Sequence, residues 1–277
     1  MSGPSLILDP RIHAYRKDIA DIALAGQLFA PHYARPMTRS CGLLPAPLRA
    51  SPSDTAETIS ELLPGEEFAV VDVTGHWAWG YCRADHKVGY VEAIALADPF
   101  VPTHIVVEAT APVEASIDLL SPTIAALPMG SRLRGTEKGA MLAIEGGFVP
   151  LSHLRRIDEH EDDPAAICQR LLGAPYADGG RTLHGIDCSG LVQLALALCG
   201  VPAPRDVDQQ RTLGDPLPDG VSLVRGDLVF CEQHVGMMID DRMVIHVSPV
   251  SGKVAVEPLR DAQAHCPHKL DRRRIRT

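Results

Sequence analysis

Apolar and polar positions change rhythm three times along this chain. Near the N-terminus, Ile12, Ile19, Ile22 and Ala23 fall close to helical spacing. That spacing predicts a short helix over 10–28, acting as a packing arm rather than a domain. The rhythm then shortens to alternation. The segments LPGEEFAVVDV (63–73), HWAWGYCR (76–83) and KVGYVEAIAL (87–96) read as strands between Gly-marked turns, the pattern of a small antiparallel barrel or sandwich. Residues 101–157 repeat the theme: LPMGSRLRG (127–135) echoes LLPGEEFAV, and GGFVPLSHL (146–154) echoes VGYVEAIAL. Self-similarity at a period of about 60 residues predicts two copies of one fold.

An acidic linker, IDEHEDDP (157–164), precedes a third pattern. PAAICQRLLG (164–173) is an amphipathic helix stopped at Gly173, and CSGLVQLALALCG (188–200) is a nearly all-apolar, hence buried, helix stopped at Gly200. GDLVFC (226–231), HVGMMI (234–239), MVIHVS (243–248) and VAVEPL (254–259) follow as consecutive antiparallel strands. The expected plan is an arm at 1–40, small all-β domains at 41–98 and 101–157, and an α+β domain at 164–277.

Composition narrows the function classes. The 277 residues carry 26 Lys and Arg against 35 Asp and Glu, a formal charge of −9. That balance argues against nucleic acid as a partner. No apolar stretch approaches 18 residues, so no membrane span is expected. The first residues, MSGPSLILDP, hold only a three-residue apolar run. They do not match a secretory signal, and the expected localisation is cytoplasmic. The seven cysteines are odd in number and include no CxxC pair, so free thiols are expected rather than disulfides. The run Arg272–Arg274 reads as a solvated edge strand. Oligomeric state is not legible.

One cysteine stands apart. Cys188 opens the buried helix behind a favourable N-cap, Asp187. There the helix dipole and unpaired N–H groups are expected to lower the thiol pKa. If Asp240–Arg242 form a three-residue hairpin loop, Ile239 pairs with Met243 and Gly236 faces His246. His234 and His246 then share a face with Cβ atoms about 7 Å apart. One histidine can take the thiol proton while the other fixes its tautomer. A two-residue loop would put them on opposite faces. A zinc site built from Cys231, His234, His265, Cys266 and His268 is the rival chemistry, but the spacing matches no common structural site. No cofactor is expected.

The segment PYADGGRTLHGIDCSGLVQ (175–193), followed by GDLVF (226–230), HVG (234–236) and IHVS (245–248), resembles the NlpC family of bacterial cell-wall cysteine peptidases. The resemblance implies a papain-like fold with Cys188 as nucleophile, His234 as base and His246 as the orienting third residue. It implies Tyr176 near the oxyanion site, and Asp187 and Ser189 at the amine end of the substrate. Asp187 also reads as a plain cap, and Ser189 as a plain first-turn residue. The upstream repeats resemble the bacterial SH3-like domains of a subgroup that cuts after γ-D-Glu in peptides with a free N-terminal L-Ala. The implied activity is a γ-D-glutamyl–L-diamino-acid endopeptidase on murein peptides, in recycling. Two positions depart from the family: Asp178 stands where an aromatic residue is usual, and Lys87 near a cleft-lining tyrosine. Glu57 is a candidate to compensate, as is Asp178 itself. Two alternatives are a papain-like amidase or acyl hydrolase on a non-wall substrate, and a non-catalytic peptide- or glycan-binding protein.

Overall fold

The computed structural model describes residues 8–118, 120–266 and 269–275. The chain divides into two compact units, Met1–Val101 and Pro102–Thr277.

The first unit is built on a seven-stranded antiparallel sheet. Its spatial order is Thr58–Leu62, Ala46–Arg49, Val88–Glu92, Trp77–Cys82, Glu67–Thr74, Met37–Cys41 and Leu96–Ala97. Phe68, Leu48, Leu62 and Val91 fill its interior. Gly80 and Gly89 are required here, because a Cβ at either would meet neighbouring backbone or Leu48 within 3 Å.

The predicted helix over 10–28 does not form. The Asp9 carboxylate accepts from the Arg11 N–H, and the chain turns back so that Arg16 bonds Ile19 and Asp21 bonds Ala14. Ile19–Asp21 then pairs in parallel with His32–Ala34. Tertiary pairing has overridden the helical pattern, since local propensity is weak beside the partners the fold supplies. The arm is fastened by Arg16, whose guanidinium lies 4.4 Å from the Trp79 ring centroid and 2.6 Å from Asp72.

The second unit begins with small antiparallel sheets. One has five strands, in the order Thr123–Pro128, Thr110–Glu114, Gly147–Pro150, Met141–Ile144 and Thr136–Lys138. A three-stranded sheet joins His104–Val106 to Arg132–Leu133 and Leu154–Arg156. Val106, Leu127, Leu142 and Val149 form their shared core.

Next comes helix α1 (Pro164–Arg170), capped by Asp163 with Pro164 in its first turn. Helix α2 (Cys188–Leu198) is buried along almost its whole length. It packs on a six-stranded sheet containing β1 (Leu228–Cys231), β2 (His234–Met238), β3 (Met243–Ser248), β4 (Lys253–Pro258) and β5 (Asp271–Arg274). The spatial order is the short strand Asp215–Pro216, then β5, β1, β2, β3 and β4.

Two expectations are corrected here. The arginine run is not a solvated edge, since β5 lies between Asp215–Pro216 and β1. Asp227, almost fully buried, holds Arg274 at 2.7 Å, and a buried carboxylate needs such a partner. Cysteine pairing is the second correction. Cys231 and Cys266 form a disulfide with Cα atoms 6.0 Å apart. The chain after helix α3 (Leu259–Gln263) returns Cys266 to the end of β1, a meeting that sequence spacing does not reveal. These two residues of the rival zinc set therefore bond each other, and His268 of that set lies outside the described residues.

Candidate active site

Cys188 is the first residue of α2. Asp187 caps the helix by accepting from the Gly190 N–H at 2.7 Å. The approach to the cap is narrow: a Cβ at Gly190 would stand 2.6 Å from the Gly180 carbonyl oxygen. The thiol points at the two-residue turn between β1 and β2, where Glu232 adopts a left-handed φ of 49°. Its Sγ lies 3.8 Å from the Gln233 carbonyl oxygen.

The histidines stand in the register the three-residue loop demands. Gly236 pairs with His246, and Ile239 bonds Met243. His234 Nε2 lies 2.8 Å from His246 Nδ1, the rings crossing at 76°. Gly236 permits this approach, since a Cβ there would sit 2.7 Å from Val244 and 3.1 Å from the His246 Cβ. His246 is 3% exposed. Its Nε2 meets the Glu257 carboxylate, a residue that sequence reasoning passed over. The signal was present in the pattern. Ala255 pairs with His246, so Glu257, two positions on, shares its face.

The electrostatics depart from expectation. Burial, and then the adjacent Asp187 carboxylate, push the Cys188 thiol up to about 11. Hydrogen bonds from the Val235 and Ser189 backbone and the charge of Arg205 pull the other way but do not prevail. The capping residue that starts the helix thus opposes the dipole effect expected at its N-terminus. Burial and His246 push His234 down to about 4, partly offset by Glu257. At neutral pH the pair is a thiol and a neutral imidazole.

Tyr176 is 51% exposed, and its hydroxyl donates to Asp178 rather than standing open. That bond, followed by burial, raises the phenol to about 12.

Asp187 and Ser189 are turned inward. Arg205, 2% exposed, reaches Asp187 at 2.9 and 2.5 Å and the Ser189 hydroxyl at 2.7 Å. The Ser189 hydroxyl donates to Asp187 at 3.1 Å, and the Gly179 N–H donates to the same carboxylate at 3.0 Å. Asp187 thus caps α2 while also accepting from Gly179, Ser189 and Arg205. Glu57 belongs to the first unit, exposed just ahead of the strand Thr58–Leu62. Lys87 is buried there.

Comparison with known proteins now places the chain. Residues 173–269 match the NlpC/P60 family, and residues 48–96 match the bacterial dipeptidyl-peptidase Sh3 domain. The peptidoglycan endopeptidase RipB of Mycobacterium tuberculosis is 31% identical over 192 residues, covering 62% of this chain and 77% of that protein. Dipeptidyl-peptidase 6 of Lysinibacillus sphaericus is 26% identical over 243 residues, covering 77% and 89% respectively. An NlpC/P60 family protein from Bacillus cereus shares the fold, with a TM-score of 0.71 at 19% identity over 86% of this chain and 99% of that one. The chain belongs to the NlpC/P60 family.

Proposed function

We propose that this protein is a cysteine peptidase that hydrolyses the γ-D-glutamyl–L-diamino acid bond of murein peptides bearing a free N-terminal L-Ala. The observation that carries the reading is the side-chain constellation: a thiol at the start of a buried helix, facing a strand pair that presents two hydrogen-bonded histidines. The relatives named for peptidoglycan and dipeptide cleavage support the substrate class.

Because both partners start neutral, attack and proton transfer run together. His234 takes the Cys188 proton as sulfur bonds to the carbonyl carbon. Backbone N–H groups at the start of α2 stabilise the oxyanion, joined by Tyr176 when its hydroxyl leaves Asp178. His234 then gives the proton to the departing amine, and water releases the acyl enzyme. Within the second unit, exposed Asp178 is the carboxylate we assign to the substrate amine.

Mass spectrometry of wall-derived peptides tests the reading. Wild type cleaves L-Ala-γ-D-Glu-diaminopimelate, while Cys188→Ala does not. N-acetylation of the L-Ala lowers turnover at least tenfold if the amine is read, by the arithmetic of one lost charged contact. Turnover by Cys188→Ala, or cleavage only of acyl and γ-glutamyl substrates unrelated to the wall, overturns the proposal. Action on released peptides in the cytoplasm belongs to the same reading. A Cys231–Cys266 disulfide belongs to oxidising compartments, so the redox state of that pair in cells decides the location.

A further inference from the structure

Both ring nitrogens of His246 are engaged. Nδ1 lies 2.8 Å from His234 Nε2, and Nε2 meets a carboxylate oxygen of Glu257. The second contact decides the first. A neutral imidazole carries one N–H and one lone pair, while an ionised carboxylate only accepts. In a neutral His246, the hydrogen facing Glu257 therefore sits on Nε2, and Nδ1 is a lone pair. The hydrogen between the two rings then belongs to His234 Nε2. What remains on neutral His234 is a lone pair at Nδ1, the nitrogen left to receive a proton from Cys188.

We infer that Glu257 is a positioning residue that, through His246, holds His234 in the one tautomer able to accept a proton at Nδ1. The inference rests on the reading of Cys188 and His234 as nucleophile and base. Remove the carboxylate, and His246 can carry its hydrogen on Nδ1 and donate to His234 Nε2. His234 then holds its own hydrogen on Nδ1 and has no lone pair left for the thiol. Glu257 acts a second time when His234 becomes an imidazolium, since its negative charge favours that cation through the ring between them. Strand geometry fixes the arrangement: β4 sets Ala255 opposite His246 and Glu257 on the same face, two positions on.

Nitrogen-15 NMR of histidine-labelled protein reads the tautomers with no substrate present. Wild type is expected to show both His234 and His246 protonated at Nε2. In Glu257→Ala, His234 shifts towards the Nδ1–H form. In Glu257→Gln, whose amide oxygen still accepts, the Nε2–H form persists. On the murein peptide, Glu257→Ala loses about a hundredfold or more in kcat with little change in KM, up to the ~10⁴-fold of a full wrong-tautomer defect, and Glu257→Gln recovers most of it. A wild-type proton on His246 Nδ1 overturns the inference without any variant, which covers the case that Glu257→Ala does not fold. Unchanged tautomers in Glu257→Ala, or a kcat within about twofold of wild type, overturn it as well. If wild type fails to cut the murein peptide, the activity reading falls while the tautomer result stands on its own.

Discussion

At the scale of single residues, the candidate site keeps its nucleophile and base uncharged. The thiol is pushed up to about 11 and the imidazole down to about 4, chiefly by desolvation of two half-buried side chains. Two outcomes follow. Iodoacetamide labelling of Cys188 should be slow at neutral pH and accelerate about tenfold per pH unit towards its pKa, since the thiolate is the reactive form. A labelling rate already at its plateau near pH 6 contradicts that electrostatic picture. On the acid side, His234 in the folded chain protonates only near pH 4, while in the unfolded chain it protonates near 6.5. Between those values the unfolded state binds more protons, so this residue's contribution to stability is present above about 6.5 and is lost as pH falls towards 4. Urea midpoints at pH 7 and pH 5 should therefore differ more in wild type than in His234→Gln.

Gly236 is the other residue on which the site turns. Substitution by Ala places a methyl against Val244 and the His246 Cβ. Overpacking of this kind costs about 1–3 kcal/mol. Here it also pushes β2 and β3 apart where the two rings meet, so kcat should fall together with the melting temperature. Full activity in Gly236→Ala would show that the ring contact tolerates the displacement.

At the scale of elements, helix α2 is the part that must not move. Its N-terminus is tied by Asp187 to Gly190 within the helix, to Gly179 before it and to Arg205 beyond its C-terminal end. Asp187→Ala removes the cap and also leaves the Arg205 charge buried without its carboxylate partner. Breaking such a pair costs about 3–5 kcal/mol. That loss is well above the ~1 kcal/mol of a cap alone, so the thermal unfolding of the variant separates the two roles. The same logic accounts for the fate of the N-terminal segment. Its apolar spacing suits a helix, but the strand at 32–34 and the Trp79 platform give its residues partners that an isolated turn of helix could not.

At the scale of the whole molecule, the second unit is closed by a covalent tie. The Cys231–Cys266 disulfide spans 35 residues of chain and encloses β2, β3, β4 and α3, with both histidines and Glu257. Loop-closure entropy for that length corresponds to about 3–4 kcal/mol. Reduction, or Cys231→Ser, should lower the denaturation midpoint by that scale, and no change would show that the tie adds nothing to the fold. A small pocket lined by His234, His246, Leu259 and both cysteines lies behind the rings. Loss of the tie should therefore reach activity as well as stability. Across the membrane question the structure adds one fact: among the described residues no helix is long and apolar enough to cross a bilayer.

Local pattern by itself determined the order and type of the elements around Cys188. The cap at Asp187, the glycine stops and the alternation in β1 to β4 are all short-range effects, and each is written within a few residues. It gave the histidine register only conditionally, since a three-residue loop sets both rings on one face and a two-residue loop does not, and the folded hairpin decided for the first. Only the tertiary structure decided what lies across distance. Arg205 reaching Asp187, Glu257 reaching His246 and Cys266 reaching Cys231 each join segments that sequence spacing does not relate. Burial decided the protonation states as well, because desolvation depends on everything packed around a group and not on its neighbours in the chain. That is why the sequence could name a thiol and two histidines, and could not foresee that the thiol would be raised rather than lowered.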